Sequence, residues 1–289
     1  MSGSPNGGSK ACCRSSSLLP DLLSPAFDYG IVDGLGRAAQ RGRVPQLDGQ
    51  IFRAGAAGPI VEFIQLGSAN NLAALRASDW FDDGSLGPML APLAARPVQW
   101  LAQDGRQGLI SAVGLAREDI LTSFKIDAHK AALAAGFTGT AALLVAAMGE
   151  LIGNVIDHSE ALYSGVALFV TQSGQFEFVI ADCGIGARAS LIRNPEYASL
   201  SDEGSALQAM IEPGVSRFAR ETGHGNGFRP IFEKLANMTG HLRFRSGDHA
   251  LTLDGRFGDR VARQLAQKPR LRGVFVAVSC RAPTMASRR

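Results

Sequence analysis

Four polar side chains share one stripe of an otherwise apolar helix: Glu150, Asn154, Asp157 and His158, within "ELIGNVIDHS", residues 150–159. At 100° per residue, offsets of four, seven and eight place the last three at about 40°, 340° and 80° from Glu150. Such a face is either a site or an exposed edge. Two glycine motifs follow it in order. "DCGIG", Asp182 to Gly186, closes the apolar run "QFEFVIAD", and "GHGNG", Gly223 to Gly227, opens the helical segment "FRPIFEKLANM". Among 34 glycines, a G-x-G triplet arises roughly four times by chance, so the ordered set of three motifs carries the signal and neither glycine motif does alone.

Each motif has a chemistry. A carboxylate at the end of a buried strand accepts a hydrogen bond from an exocyclic amine, and glycines after it let backbone approach a flat ring. Asp182, Gly184 and Gly186 therefore suit adenine. A glycine turn running into a helix N-terminus offers unpaired N–H groups and the positive end of the helix dipole, so Gly223, Gly225 and Gly227 suit a polyphosphate. The amide oxygen of Asn154 is a hard ligand for Mg²⁺, which keeps water and phosphate oxygens as its other ligands. Glu150, one turn away, is placed to act as general base on a water or hydroxyl attacking the terminal phosphoryl group.

The three motifs resemble the N-box and the two glycine boxes of the GHKL superfamily, the histidine kinase-like ATPases, over roughly residues 117–280. The resemblance implies an α+β Bergerat fold, a mixed sheet layered on helices with ATP in the cleft, and a mobile ATP lid over residues 187–222. Within the superfamily the N-box looks closest to the serine-kinase anti-sigma factors and related bacterial regulators. By position, the resemblance makes Glu150 the base, Asn154 the metal ligand and ATP contact, and Asp182 the adenine partner; Asp157 and His158 join the ATP-binding set. It further implies signal transduction through a STAS-like or sigma-type protein partner. The chain departs from the family at Gly273-Val274, where a Gly-Thr pair is common, so a threonine hydroxyl near the nucleotide is missing. The expected function is Mg-ATP binding with hydrolysis or phosphorylation of a protein Ser/Thr. The alternatives are a non-catalytic ATP switch or a sensor histidine kinase.

The remaining candidates are weighed against plainer roles. His158 contacts phosphate or Glu150, or else caps and packs the helix end. His129, in "FKIDAHKAAL", lacks an acceptor-helix pattern and reads as a partly exposed helical histidine. His224 lies in the phosphate turn, where backbone N–H groups dominate. Cys183 reads as a small buried filler, and Arg270 and Arg272 as a solvated face.

The elements that must position these groups follow from pattern. Helices are expected over 117–136 and from about Thr140 through the N-box, with Gly136 as stop signal. "VALFVT" and "QFEFVIAD", separated by Gln-Ser-Gly, read as a hairpin. Residues 183–222 read as irregular, with a short helix near "SALQAMI". "HLRFRS", "ALTLDG" and "GVFVAVSC" read as closing strands. Residues 1–25 are expected as a Ser/Gly/Pro-rich tail, 26–115 as a small α/β module with "PIVEFIQL" and "PVQWLA" as strands and "NLAALRASDWF" and "LGPMLAPLAA" as short helices, 116–283 as the ATP-binding domain, and 284–289 as a second tail.

A length of 289 residues and 46% apolar content allow a substantial core. A net charge of +3 gives no case for nucleic acid. No uninterrupted apolar run of bilayer length is visible and no secretory pattern opens the chain, so a cytoplasmic protein with no membrane partner is expected. The four cysteines, at 12, 13, 183 and 280, have no metal-like spacing.

Overall fold

The computed structural model describes residues 24–43, 51–69, 81–82, 84–212, 240–255 and 262–282. Residues 1–23 of the first tail, the second tail, the short helix expected at "NLAALRASDWF" apart from Phe81, the glycine motif at Gly223–Gly227 with His224, and the helix expected after it lie outside the described residues. Within them the architecture is α+β. Six strands form one open sheet: β1 (Gln99–Leu101), β2 (Gln107–Ser111), β3 (Val166–Gln172), β4 (Gln175–Ala181), β5 (His241–Asp254) and β6 (Ala262–Arg281). Their order is β1-β2-β3-β4-β6-β5, and every neighbouring pair is antiparallel. The resemblance implies a mixed sheet, so these strands depart from that expectation.

The helices are α1 (Tyr29–Gln40), α2 (Ala57–Ala69), α3 (Gly87–Ala95), α4 (Ala112–Leu115), α5 (Glu118–Ala134), α6 (Ala141–His158), α7 (Gly186–Leu191) and α8 (Glu203–Met210). They cover both faces of the sheet. Period-two alternation in β4 divides the core: Phe176, Phe178 and Ile180 face α5 and α6, while Val179 and Ala181 face α1, α2 and α3. On the first face Phe124, Leu144, Met148 and Leu151 pack on Phe169 and Phe244. On the second, Val32, Ile60, Phe63 and Leu66 pack on Leu168 and Phe275.

The helix and hairpin expectations for 117–182 match α5, α6, β3 and β4, with Ser173-Gly174 as the two-residue hairpin loop. Several others need correction. "PIVEFIQL" lies inside α2; its apolar run is a helix buried on the sheet, which local pattern cannot distinguish from a buried strand. "HLRFRS" and "ALTLDG" are one strand, β5, irregular around Gly247, and β6 begins well before "GVFVAVSC" because the two strands continue as a long antiparallel ribbon. The short helix expected near "SALQAMI" is α8, whereas α7 stands in the stretch expected to be irregular. The boundary at 115 separates no two cores: β2 pairs with β3, and α1 to α3 share a core with β3, β4 and β6. By length and composition α6 alone, among the described helices, qualifies to cross a bilayer. Its face from Ala141 through Leu144, Met148 and Leu151 to Val155 is instead buried in the protein core.

The second face carries a buried ion network. Glu62 on α2, fully buried, accepts from Arg243 Nε at 2.7 Å and Nη2 at 2.9 Å, and also from Arg245 Nη1. Asp33 on α1 accepts from Arg243 at 2.7 Å and from Lys268 at 2.5 Å. Arg245 also donates to the Pro269 carbonyl. Burial pulls the Arg243 guanidinium down, and Glu62 with Asp33 more than reverses this, leaving its pKa above the ordinary value. Arg243 lies 4.5 Å from the centre of the Tyr29 ring. Glu177 on β4 accepts from the N–H groups of Ala57 and Gly58 at 2.9 and 2.8 Å, which fixes the start of α2.

Candidate functional site

The N-box helix and the first glycine box meet at a single backbone hydrogen bond. Ser159, which ends α6, accepts from the N–H of Ile185 at 3.0 Å. Gly184 permits this approach: a Cβ there would stand 2.0 Å from the Ser159 carbonyl oxygen. At 1.5 Å per residue, Asn154 sits about 7.5 Å and Glu150 about 13.5 Å back along the axis from this junction. The polar stripe thus runs away from the Asp182 turn.

Asp182 extends the β4 ladder by one bond, its N–H donating to Val274 O at 2.9 Å. The residue is 3% exposed, and its Oδ1 accepts from Gly184 N–H at 2.7 Å. Burial raises the carboxyl pKa to about 6, against the lowering effect of the Gly184 and Val274 hydrogen bonds. A buried acid with a raised pKa is a recognised mark of a candidate functional site. Gly186 starts α7, where Ala187 N–H donates to Ser246 Oγ at 2.8 Å and Arg188 N–H to Glu203 at 3.2 Å. Ser246 in turn donates to Glu203 at 2.8 Å, tying the starts of α7 and α8 to β5.

On α6, Glu150 and Asp157 are exposed while Asn154 and His158 are half-buried, so the stripe borders the buried face. Asn154 Nδ2 donates to the Glu150 carbonyl at 3.0 Å. That commits the amide nitrogen to the helix and leaves the oxygen, the atom a magnesium ion requires. Among the described residues no group of three His, Cys, Asp or Glu side chains is placed to hold a metal ion. This chemistry fits a cation that arrives with phosphate oxygens and takes one amide ligand. His129 is half-buried on α5, as expected for a helical histidine. Cys183 is half-buried, and burial is the main cause of its raised thiol pKa.

Sequence reasoning missed three supporting residues. Ser164 accepts from Cys183 N–H at 2.8 Å and donates to Ala161 O at 2.7 Å, bracing the turn from beneath. Gln65 reaches the turn from α2. Gly273, read only as half of an absent Gly-Thr pair, has φ +77°, and a Cβ there would lie 2.0 Å from Asp182 O and 2.6 Å from Gly184 N. The glycine alone was legible as a signal. Gly273→Ala is expected to lower stability by about 3 kcal/mol, combining left-handed strain with displacement of the turn; urea titration of the full chain measures it. A cavity of about 20 Å³ lies on the α2 side, lined by Val61, Gln65, Leu93, Ser164 and Cys183 among others. It has room for one water and none for a nucleotide.

Comparison of the chain with family models, characterised proteins and solved structures gives no match.

Proposed function

We propose that this chain is an ATP-binding regulator of the histidine kinase-like ATPase type, with the adenine at Asp182 and the phosphates along the polar stripe of α6. The observation carrying this reading is the Ile185 N–H to Ser159 O bond, which joins the N-box helix to a turn holding a buried carboxyl with pKa about 6. In this arrangement the Asp182 carboxylate accepts from the exocyclic amine, and Gly184 lets the turn close on Ser159 so that the carboxylate is held at the end of α6. Asn154 Oδ1 would hold the cation that accompanies the phosphates. Magnesium, when bound, neutralises charge developing on the transferred phosphoryl group. Glu150 takes the proton from the attacking oxygen, which belongs to water or to a Ser/Thr hydroxyl of a protein partner, as the new P–O bond forms, the bond to the β-phosphate oxygen breaks and ADP leaves. A STAS-like or sigma-type partner is the reading's protein substrate or regulatory target, by resemblance.

The test is titration calorimetry of the full chain with ATP, with and without Mg²⁺, followed by turnover. Magnesium-dependent binding is expected. Glu150→Gln should lower turnover at least 100-fold, in line with loss of a general base, with ATP affinity unchanged within about twofold, because that side chain contacts the attacking group rather than the nucleotide. No ATP binding in the native chain sinks the proposal. One observation favours a second reading, a non-catalytic switch: Glu203 and Ser246 dock α7 and α8 beside the Asp182 turn, providing an element that nucleotide can reposition. Under that reading Glu150→Gln leaves the ATP response intact and there is no turnover to lose.

A further inference from the structure

We infer that the amino-terminal helical layer is a working part of the nucleotide site, acting through Gln65 on α2 as a positioning residue for Asp182. This deepens the nucleotide reading and rests on it. Gln65 is 4% exposed. Its amide nitrogen donates to the carbonyl oxygens of Asp182 at 2.6 Å and Arg272 at 2.8 Å, and stands 3.2 Å from that of Val274. These three oxygens converge where β4 and β6 part company, just beyond the Ala181–Phe275 pair. Without a donor among them they repel one another, and each buried carbonyl left unpaired costs about 1–3 kcal/mol.

The consequence for Asp182 is geometric. Its N–H is held by Val274 O and its C=O by Gln65, so the peptide units on both sides of its Cα are fixed. With both fixed, the Cβ direction follows, and the Gly184 N–H at 2.7 Å then holds the carboxylate. Gln65 Oε1 is buried and has no hydrogen-bond partner among the described residues. The side chain therefore sits where its nitrogen is needed, although its oxygen goes unsatisfied. α2 is itself held against the sheet, by Glu177 at its start and by Glu62, one turn before Gln65, through Arg243 and Arg245. The layer thereby sets the position of a carboxylate 117 residues away in sequence.

The titratable groups around the turn are Cys183, flanked electrostatically by Arg96 and Arg272, and His158 at the end of α6. None of them accounts for the raised Asp182 pKa, which comes from burial. Gln65 should therefore be visible in the pH dependence of nucleotide binding. ATP affinity of the full chain is measured from pH 5 to 8 in wild type, Gln65→Met, Gln65→Glu and Met89→Ala. Met matches the volume of Gln and removes the donor. Glu keeps the shape and, protonated, restores one donor. Met89, buried on α3, is a control for loss of packing alone.

The wild-type midpoint is expected near 6. Gln65→Met should weaken binding about tenfold and move the midpoint down towards ordinary carboxylate values as the loosened turn admits water, with Gln65→Glu intermediate. Met89→Ala should lower thermal stability and leave the midpoint in place. If Gln65→Met fails to fold, Gln65→Glu against wild type still reads the shift. Unchanged affinity and midpoint in a folded Gln65 variant, with wild type binding ATP, overturns this inference and spares the nucleotide reading. A wild type that binds no ATP overturns the nucleotide reading itself.

Discussion

Asp182→Asn is expected to abolish measurable ATP binding, a loss of 100-fold or more, while making the protein more stable at neutral pH. The two effects have opposite signs because the carboxylate serves the ligand at the expense of the fold. Asn retains the oxygen that accepts from Gly184 N–H but replaces the other acceptor with a donor, which meets the exocyclic amine head-on. For stability the sign is set by linkage. The carboxyl titrates near 3.8 when exposed and near 6 in the folded protein, so the folded state binds more protons between those values. Stability contributed by this group is greatest below about pH 4 and falls as pH rises to about 6. The whole effect is bounded by about 3 kcal/mol. Asn carries no charge, so the variant should melt several degrees above wild type at pH 7.5 and close to it at pH 4. Calorimetric melts at the two pH values, beside ATP titrations, check both halves. A variant that binds ATP normally removes Asp182 from the site.

The largest expected loss of stability comes from Glu62→Ala. Glu62 accepts from two buried guanidinium groups, and its removal leaves Arg245, which is fully buried, with only the Pro269 carbonyl among the described residues. Breaking a buried pair from one side costs about 3–5 kcal/mol. For a chain of this size that corresponds to a melting temperature lower by roughly 10 °C. The loss should be nearly the same in 50 mM and 500 mM salt, since the pair is shielded from mobile ions. Glu62→Gln keeps one acceptor and should lose less. Thermal melts of the three proteins at both salt concentrations decide it; equal stability of Glu62→Ala and wild type would refute the network's role.

The sequence made the first face of the sheet legible and left the second obscure, for a physical reason. α6 and the β3–β4 hairpin carry their own signals: a 3.6-residue polar stripe, a glycine stop before the helix, and Gln-Ser-Gly between two apolar strand-like runs. Those signals are local, so they survive without knowledge of partners. α2 has no such mark. "PIVEFIQL" is β-branched and apolar, and its two internal polar residues, Glu62 and Gln65, are buried against groups roughly 117 to 209 positions later. Nothing near Glu62 announces Arg243 and Arg245. The length of β6 was equally hidden, because its first half, "ARQLAQKPRL", is largely polar, contains a proline and lacks the continuous apolar run of "GVFVAVSC". Of the site, Asp182 and Gly184 were readable from spacing, whereas Gln65 and Ser164 could be found only once distant strands had been brought together.

The ion network that seats α1 and α2 also imposes an order on folding. Asp33 and Glu62 meet their cationic partners across separations of 181 to 235 residues. Closing such loops is entropically slow and must precede any reward from the contacts. During synthesis α1 and α2 therefore leave the ribosome before Arg243, Arg245 and Lys268, the cations that meet these two acids in the folded protein. They remain solvated until β5 and the start of β6 have been made. The amino-terminal layer is the earliest part of the described chain to be translated and among the last to settle.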